Sequence, residues 1–180
     1  MKIKQVTSFL ESIAPLEYQE SYDNCGLIIG DVNAEVKGAL ITLDCTEDII
    51  DEAIVSGCNM VIAHHPIIFR GLKKLNGSNY IERTVIKAIK NDIAIYAIHT
   101  NLDNVHNGVN AKIAEKLGLV NCKVLSPKKD LNTYLVGPGI IGELNVPVDS
   151  QVVLNNLGLC NSEIEWISPL GVVIIETSNG

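Results

Sequence analysis

The sequence predicts an α/β fold of βαβ units, with a largely parallel sheet and helices on both faces. Three observations carry that reading. Short runs rich in β-formers recur along the chain: "VKGALITL" (36–43), "NMVIAHH" (59–65) and "IAIYAI" (93–98). Segments with helical periodicity, about 10–15 residues long, separate them. The second and third runs are apolar without alternation, as in strands covered on both faces by crossover helices.

The elements follow in order. Ile3, Val6, Phe9, Leu10 and Ile13 have helical spacing, so an amphipathic helix opens the chain and stops at Pro15. After the 36–43 run, Ile49, Ile50, Ala53 and Ile54 share one helical face. Thr46 can cap that helix and Gly57 can end it. In "YIERTVIKAIK", Ile81, Val85, Ile86 and Ile89 define a second helix, and "GVNAKIAEKLG" a third that stops at Gly118. The chain reads as a single α/β domain, 1–180, with a core over 1–120 and a less regular part over 121–180. In that part "LVGPGIIGEL" carries Gly137, Gly139 and Gly142, which suggests a tight turn between extended pieces. Its G-x-G-x-x-G spacing is weak evidence for a nucleotide loop, because no strand–helix frame surrounds it.

Charge and composition exclude several classes. A net charge of -7 and the absence of any basic run argue against nucleic acid, whose phosphates need Lys and Arg. Lys73-Lys74 and Lys128-Lys129 are the longest basic clusters and read as solvated faces. No apolar stretch is long enough for a membrane helix, and the opening residues lack a signal-peptide core, so the expected setting is cytoplasmic. Cys25, Cys45, Cys58, Cys122 and Cys160 are odd in number and form no C-x-x-C pair, which points to buried reduced thiols. Cys45 stands out because it adjoins a candidate site.

That site comes from the strand ends, since parallel sheets bind ligands outside the carboxyl ends of their strands. The first strand ends at Asp44, the second at His64 and His65, and the third at "HTNLD", with His99, Asn101 and Asp103. Imidazoles and carboxylates converging on one sheet edge suit a metal site. Adjacent residues on a regular strand face opposite sides, so His64 and His65 are expected to reach two ions rather than one. A structural role for the pair is the competing reading. Asp44 fits either a helix cap or a ligand. His99 reads as a supporting hydrogen-bonding residue, and His106 as an exposed loop histidine. Tyr22, Asp23 and Asn24 fit a pocket lining or a turn before a strand.

"YDNCGLIIGD", "GCNMVIAHHPIIFRGLKKL", "YAIHTNLDNVHNGVN" and "GPGIIGEL" resemble, in order, signature stretches of the dinuclear metal-centre family. That family is also called NGG-interacting-factor-three-like, and its members are often named GTP cyclohydrolase type-two homologs. The resemblance covers residues 1 to about 144. It implies that His64, His65 and Asp103 ligate a pair of divalent cations, two per subunit, with zinc, iron or manganese suiting such donors. It also implies an α/β fold, a cytoplasmic setting and a ring-shaped homohexamer. The family's C-terminal His-x-x-x-Glu ligands have no full counterpart. No histidine follows His106, and "GVVIIETSNG" offers Glu176 alone. The stretch after Leu144 therefore reads as shortened or divergent. The leading functional reading is a metal-dependent hydrolase acting on a small-molecule substrate. The alternative is a non-enzymatic metal-binding or interaction scaffold with an incomplete site.

Overall fold

A computed structural model of the chain describes residues 1–128, 135–145 and 172–175. Cys160, Glu176 and Lys129 lie outside the described residues. The chain divides into two compact units, Met1–Leu102 and Asp103–Gly180.

The first unit is built on four strands, β1 (Gly26–Ile29), β2 (Ala39–Thr42), β3 (Met60–Ala63) and β4 (Ala94–Ala97), in the order β1-β4-β3-β2. β2, β3 and β4 are parallel, as the βαβ pattern requires, and β1 joins antiparallel to β4. Helices α1 (Ile3–Ile13), α2 (Glu47–Val55) and α3 (Tyr80–Lys90) pack around it. Every residue of β3 and β4 is buried, and their alternate side chains feed two cores. Val61, Ala63 and Ile95 pack with Ile50 and Ala53 of α2 and with Val85 and Ala88 of α3. On the opposite side Met60, Ile62, Ala94 and Tyr96 pack with Ile3, Val6 and Leu10 of α1. The helices therefore cover both faces of these central strands.

The local signals mostly act as the sequence predicts. The Thr46 side chain accepts from the Ile49 N–H and caps α2, and Asn79 caps α3 in the same way through Glu82. Gly57 adopts a positive φ of 70° just past α2. Two expectations need correction. Phe9 is 62% exposed and Ile13 46%, so only part of the N-terminal stripe is used for packing. β2 is an edge strand with alternating burial, and Ile41 is 80% exposed, so its apolar run is not covered on both sides.

A short helix, α4 (Thr100–Asp103), closes the first unit, its last residue opens the second, and α5 (Val109–Lys116) follows. Then come β5 (Leu119–Val124), β6 (Ile140–Leu144) and β7 (Val172–Ile175). These three strands form a separate antiparallel sheet, an element the βαβ reading did not contain. Ala114, Leu119 and Ile140 form its buried cluster. Gly137 and Gly139 precede β6 and Gly142 lies inside it, so the G-x-G-x-x-G run leads into a strand and offers no helix N-terminus to a phosphate. No helix among the described residues is long and apolar enough to cross a membrane.

Gly30, at the end of β1, has φ 121°, and a Cβ there would lie 2.6 Å from the Cβ of Ala94 on β4. Gly30→Ala should therefore destabilise the first unit by about 2 kcal/mol or more, through backbone strain and overpacking together. Chemical denaturation of both proteins checks this; equal midpoints and slopes would contradict the close approach of these two strands.

Candidate metal centre

The in-register ladder of the parallel strands sets up the site. Thr42 pairs with Ala63, and Ala63 with Ala97, so three strands end level. The ladder continues a little further: the His64 N–H donates to the Thr42 carbonyl, His65 N–H to that of Leu43, and Ile98 N–H to that of Ala63. Two residues past the last paired positions stand His65 and His99. β1 runs the other way, and its first residue, Gly26, pairs with Ala97, so the polar run before β1 meets the same edge.

His64, His65 and His99 form a cluster there. One ring nitrogen of each lies within 4.8 Å of the others. Ring centroids are 5.0 Å apart for His64 and His65, 5.1 Å for His64 and His99, and 5.4 Å for His65 and His99. The backbone bends at His64 and His65 instead of continuing as a strand. Strand alternation therefore stops before it can separate the two rings, and the expectation that they face opposite sides does not hold.

Each ring is oriented through Nδ1. That of His64 lies 2.8 Å from the Ile98 carbonyl oxygen, that of His65 2.7 Å from Asp44 Oδ1, and that of His99 3.0 Å from Asp23 Oδ1. A carbonyl and a carboxylate accept, so the geometry has Nδ1–H donating in all three cases, which in the neutral tautomer leaves the lone pair on Nε2. Acceptors on the far nitrogen are the arrangement that aligns metal-ligating imidazoles and raises their basicity. Such a donor set could hold a metal ion.

Asp23 is the residue whose importance the sequence left open. Its side chain is fully buried. It accepts from His99, from the backbone N–H and hydroxyl of Thr100, from the Cys25 thiol at 3.1 Å and from the Asn24 N–H at 2.7 Å. Burial alone would raise its pKa, but hydrogen bonds from His99, Thr100, Cys25 and Asn24 outweigh that and hold it well below the usual carboxylate range. The one sequence clue was a cluster of polar residues directly before an apolar strand.

The remaining candidates divide as follows. Asp44 neither caps α2, which Thr46 does, nor stands apart; it accepts the His65 proton. His99 has the hydrogen bond expected of a supporting residue, and its ring also joins the cluster. "TNLD" is a helix, α4, not a continuation of the strand. Asp103 is buried at its end, and its carbonyl oxygen accepts from Asn110 Nδ2 at 3.0 Å. His106 is exposed, as expected. Cys45 packs into the apolar core with Ile50 and Val61, so it is a core residue, and Cys25 is the thiol joined to the site.

The fold and these three oriented imidazoles define a class: an α/β protein with a candidate metal site at the carboxyl edge of parallel strands. The chain belongs to the Duf34/NIF3 (NGG1p interacting factor 3) family, which matches residues 1–167. It is 40% identical over 144 residues to the GTP cyclohydrolase 1 type 2 homolog of Clostridium acetobutylicum, covering 80% of this chain and 53% of that protein. It thus spans about half the length of that curated relative. Among solved structures it resembles a Staphylococcus aureus hypothetical protein with TM-score 0.79 and 31% identity, over 87% of this chain and 63% of the other. A Bacillus cereus protein related to NIF3 matches with TM-score 0.67 and 45% identity, over 71% and 35%.

Two outcomes follow from the charge states. A depressed carboxylate stabilises the fold above its unfolded pKa and loses that contribution as pH falls through its folded value. Asp23→Asn should thus be less stable than the native protein at neutral pH, and the gap should narrow as pH drops below the ordinary value of 3.8. Denaturant midpoints across that range test the sign, and a gap widening toward acid would contradict it. Burial pushes the thiols of Cys25 and Cys45 from 9.0 up to about 11. Two pH units leave roughly 100-fold less thiolate at pH 8, so iodoacetamide should label both at least that much more slowly in native than in unfolded protein. Mass-spectrometric mapping of the labelled peptides reads the rates.

Proposed function

We propose that this chain is a divalent-metal-binding protein and acts as a metal-dependent hydrolase. The observation that carries the reading is the histidine triad, each ring held through Nδ1 by a carboxylate or carbonyl acceptor. His64, His65 and His99 would hold the ion, and the resemblance of the "HTNLD" stretch adds Asp103 as a carboxylate ligand. A bound cation would supply Lewis acidity for hydrolysis. The protein's own part is orientation and proton placement. Asp44, Asp23 and the Ile98 carbonyl fix the tautomers and ring directions, and the buried, ionised Asp23 stabilises a proton on His99 Nδ1.

Two ions per subunit, drawn from zinc, iron or manganese, are the count and identities that the resemblance supports. The name of such relatives, GTP cyclohydrolase 1 type 2 homolog, supports a purine nucleotide such as GTP as the substrate to try first. On the resemblance alone we also propose a cytoplasmic homo-oligomer, with six subunits as the expected number. The triad would hold an ion equally in a second reading, a metal-binding scaffold without activity.

Elemental analysis after dialysis against metal-free buffer tests the metal. The native protein should retain divalent metal, and the His64→Ala/His65→Ala variant should retain none. Unchanged metal content in that variant would move the site elsewhere. Asp44→Asn should weaken metal affinity by about 10–100-fold, as loss of a ligand's supporting partner does. GTP hydrolysis that disappears with chelator selects the enzyme; retained metal without turnover selects the scaffold.

A further inference from the structure

The two carboxylate oxygens of Asp23 serve different partners. Oδ1 accepts from His99 Nδ1 at 3.0 Å and from the Asn24 N–H at 2.7 Å. Oδ2 accepts from the Thr100 N–H at 3.0 Å, from the Thr100 hydroxyl and from the Cys25 thiol at 3.1 Å. Thr100 is buried, at 2% exposure, and its hydroxyl also accepts from the Glu20 N–H at 2.9 Å. A hydroxyl has one proton and two lone pairs, and a backbone N–H can only donate. The Glu20 bond therefore takes a lone pair, and the hydroxyl proton is left for Asp23 Oδ2.

We propose that Thr100 is a positioning residue for His99: by fixing Oδ2 of Asp23 it sets the direction in which Oδ1 holds the imidazole. The inference deepens the metal-binding reading above and rests on it for the ion. A carboxylate is a rigid plane, so turning one oxygen about the Cβ–Cγ bond turns the other with it. The Asn24 N–H belongs to the next residue of the same segment, and the thiol of Cys25 is a weak donor. Thr100 anchors the carboxylate from a different part of the chain, with a backbone N–H and a hydroxyl on one oxygen. It is also the residue directly after His99, so the carboxylate is held by the same piece of backbone that carries the ring. His64 and His65 take other acceptors, the Ile98 carbonyl and Asp44, so Thr100 acts on one ring of the cluster. The competing role is a pin between the segment before β1 and the start of α4, which would leave the ring direction of His99 indifferent to the hydroxyl.

The first readout needs no metal. Long-range proton–nitrogen correlation NMR on the full chain, stripped of metal, reports the ring nitrogens of each histidine. Thr100→Val keeps the branched shape and removes the hydroxyl; it should shift the His99 Nδ1 signal and leave those of His64 and His65 in place. Thr100→Ser should restore the native His99 signal. The second readout is affinity for zinc ion, by titration against a competing chelator. Losing a ligand's direct supporting partner costs about 10–100-fold, and Thr100 acts one bond further out, so Thr100→Val should weaken zinc binding by about three- to tenfold and Thr100→Ser should recover it. If the valine variant does not fold by circular dichroism, Thr100→Ala, which leaves room for a water at the Glu20 N–H, is read in the same way. The proposal is overturned by a folded variant with native His99 signals, whatever its stability, by equal changes at all three rings, or by a serine variant that restores nothing. Native protein that binds no zinc sinks the metal reading, and the metal-free NMR result still decides the role of Thr100. Unchanged zinc affinity beside a shifted His99 signal removes His99 from the ion's donors and upholds its positioning by Thr100.

Discussion

Everything at the candidate site depends on the register of three parallel strands. Because Thr42, Ala63 and Ala97 lie side by side, the residues that follow them emerge at one level. A slip of one residue would turn β3 over, exchanging the Val61 and Ala63 face for the Met60 and Ile62 face and sending each set into the wrong core. The apolar packing on both sides therefore fixes the register, and the register fixes where the imidazoles stand. Core and site are one problem in this unit.

The polar layer at that edge is arranged to hold three basic rings close together. Each ring has its own acceptor at Nδ1, so the three are held in fixed directions at this spacing. Asp23, besides holding His99, also accepts from the backbone N–H and hydroxyl of Thr100 at the start of α4. The Thr100 hydroxyl in turn accepts from the Glu20 N–H, so the segment before β1 is fastened to the segment after β4. One carboxylate thereby links the orientation of His99 to the path of two loops.

The chain belongs to the Duf34/NIF3 family and spans about half the length of the curated relative from Clostridium acetobutylicum. The separate antiparallel sheet of the second unit shows that residues beyond Leu102 build a structure of their own rather than extend the parallel sheet. The triad lies wholly within the first unit.

The sequence by itself determined the βαβ order, the caps at Thr46 and Gly57, and the strand ends carrying His64, His65 and His99. Those are local matters: periodicity, capping chemistry and the length of apolar runs act over a few residues and can be read in order. It also made His64 and His65 visible, because an adjacent pair of imidazoles closing an apolar run has few structural uses. Only the tertiary structure decided that the backbone bends at the pair and brings both rings to one point, that Asp44 serves His65 instead of a helix, and that Asp23 holds His99 from 76 residues away. It also decided that β2 lies at an edge with Ile41 exposed, and that Cys45 belongs to the core. The physical reason is common to all of these. Each depends on which strands become neighbours and in which direction they run, and the antiparallel placement of β1 against β4 leaves no periodic mark on the residues that it brings together.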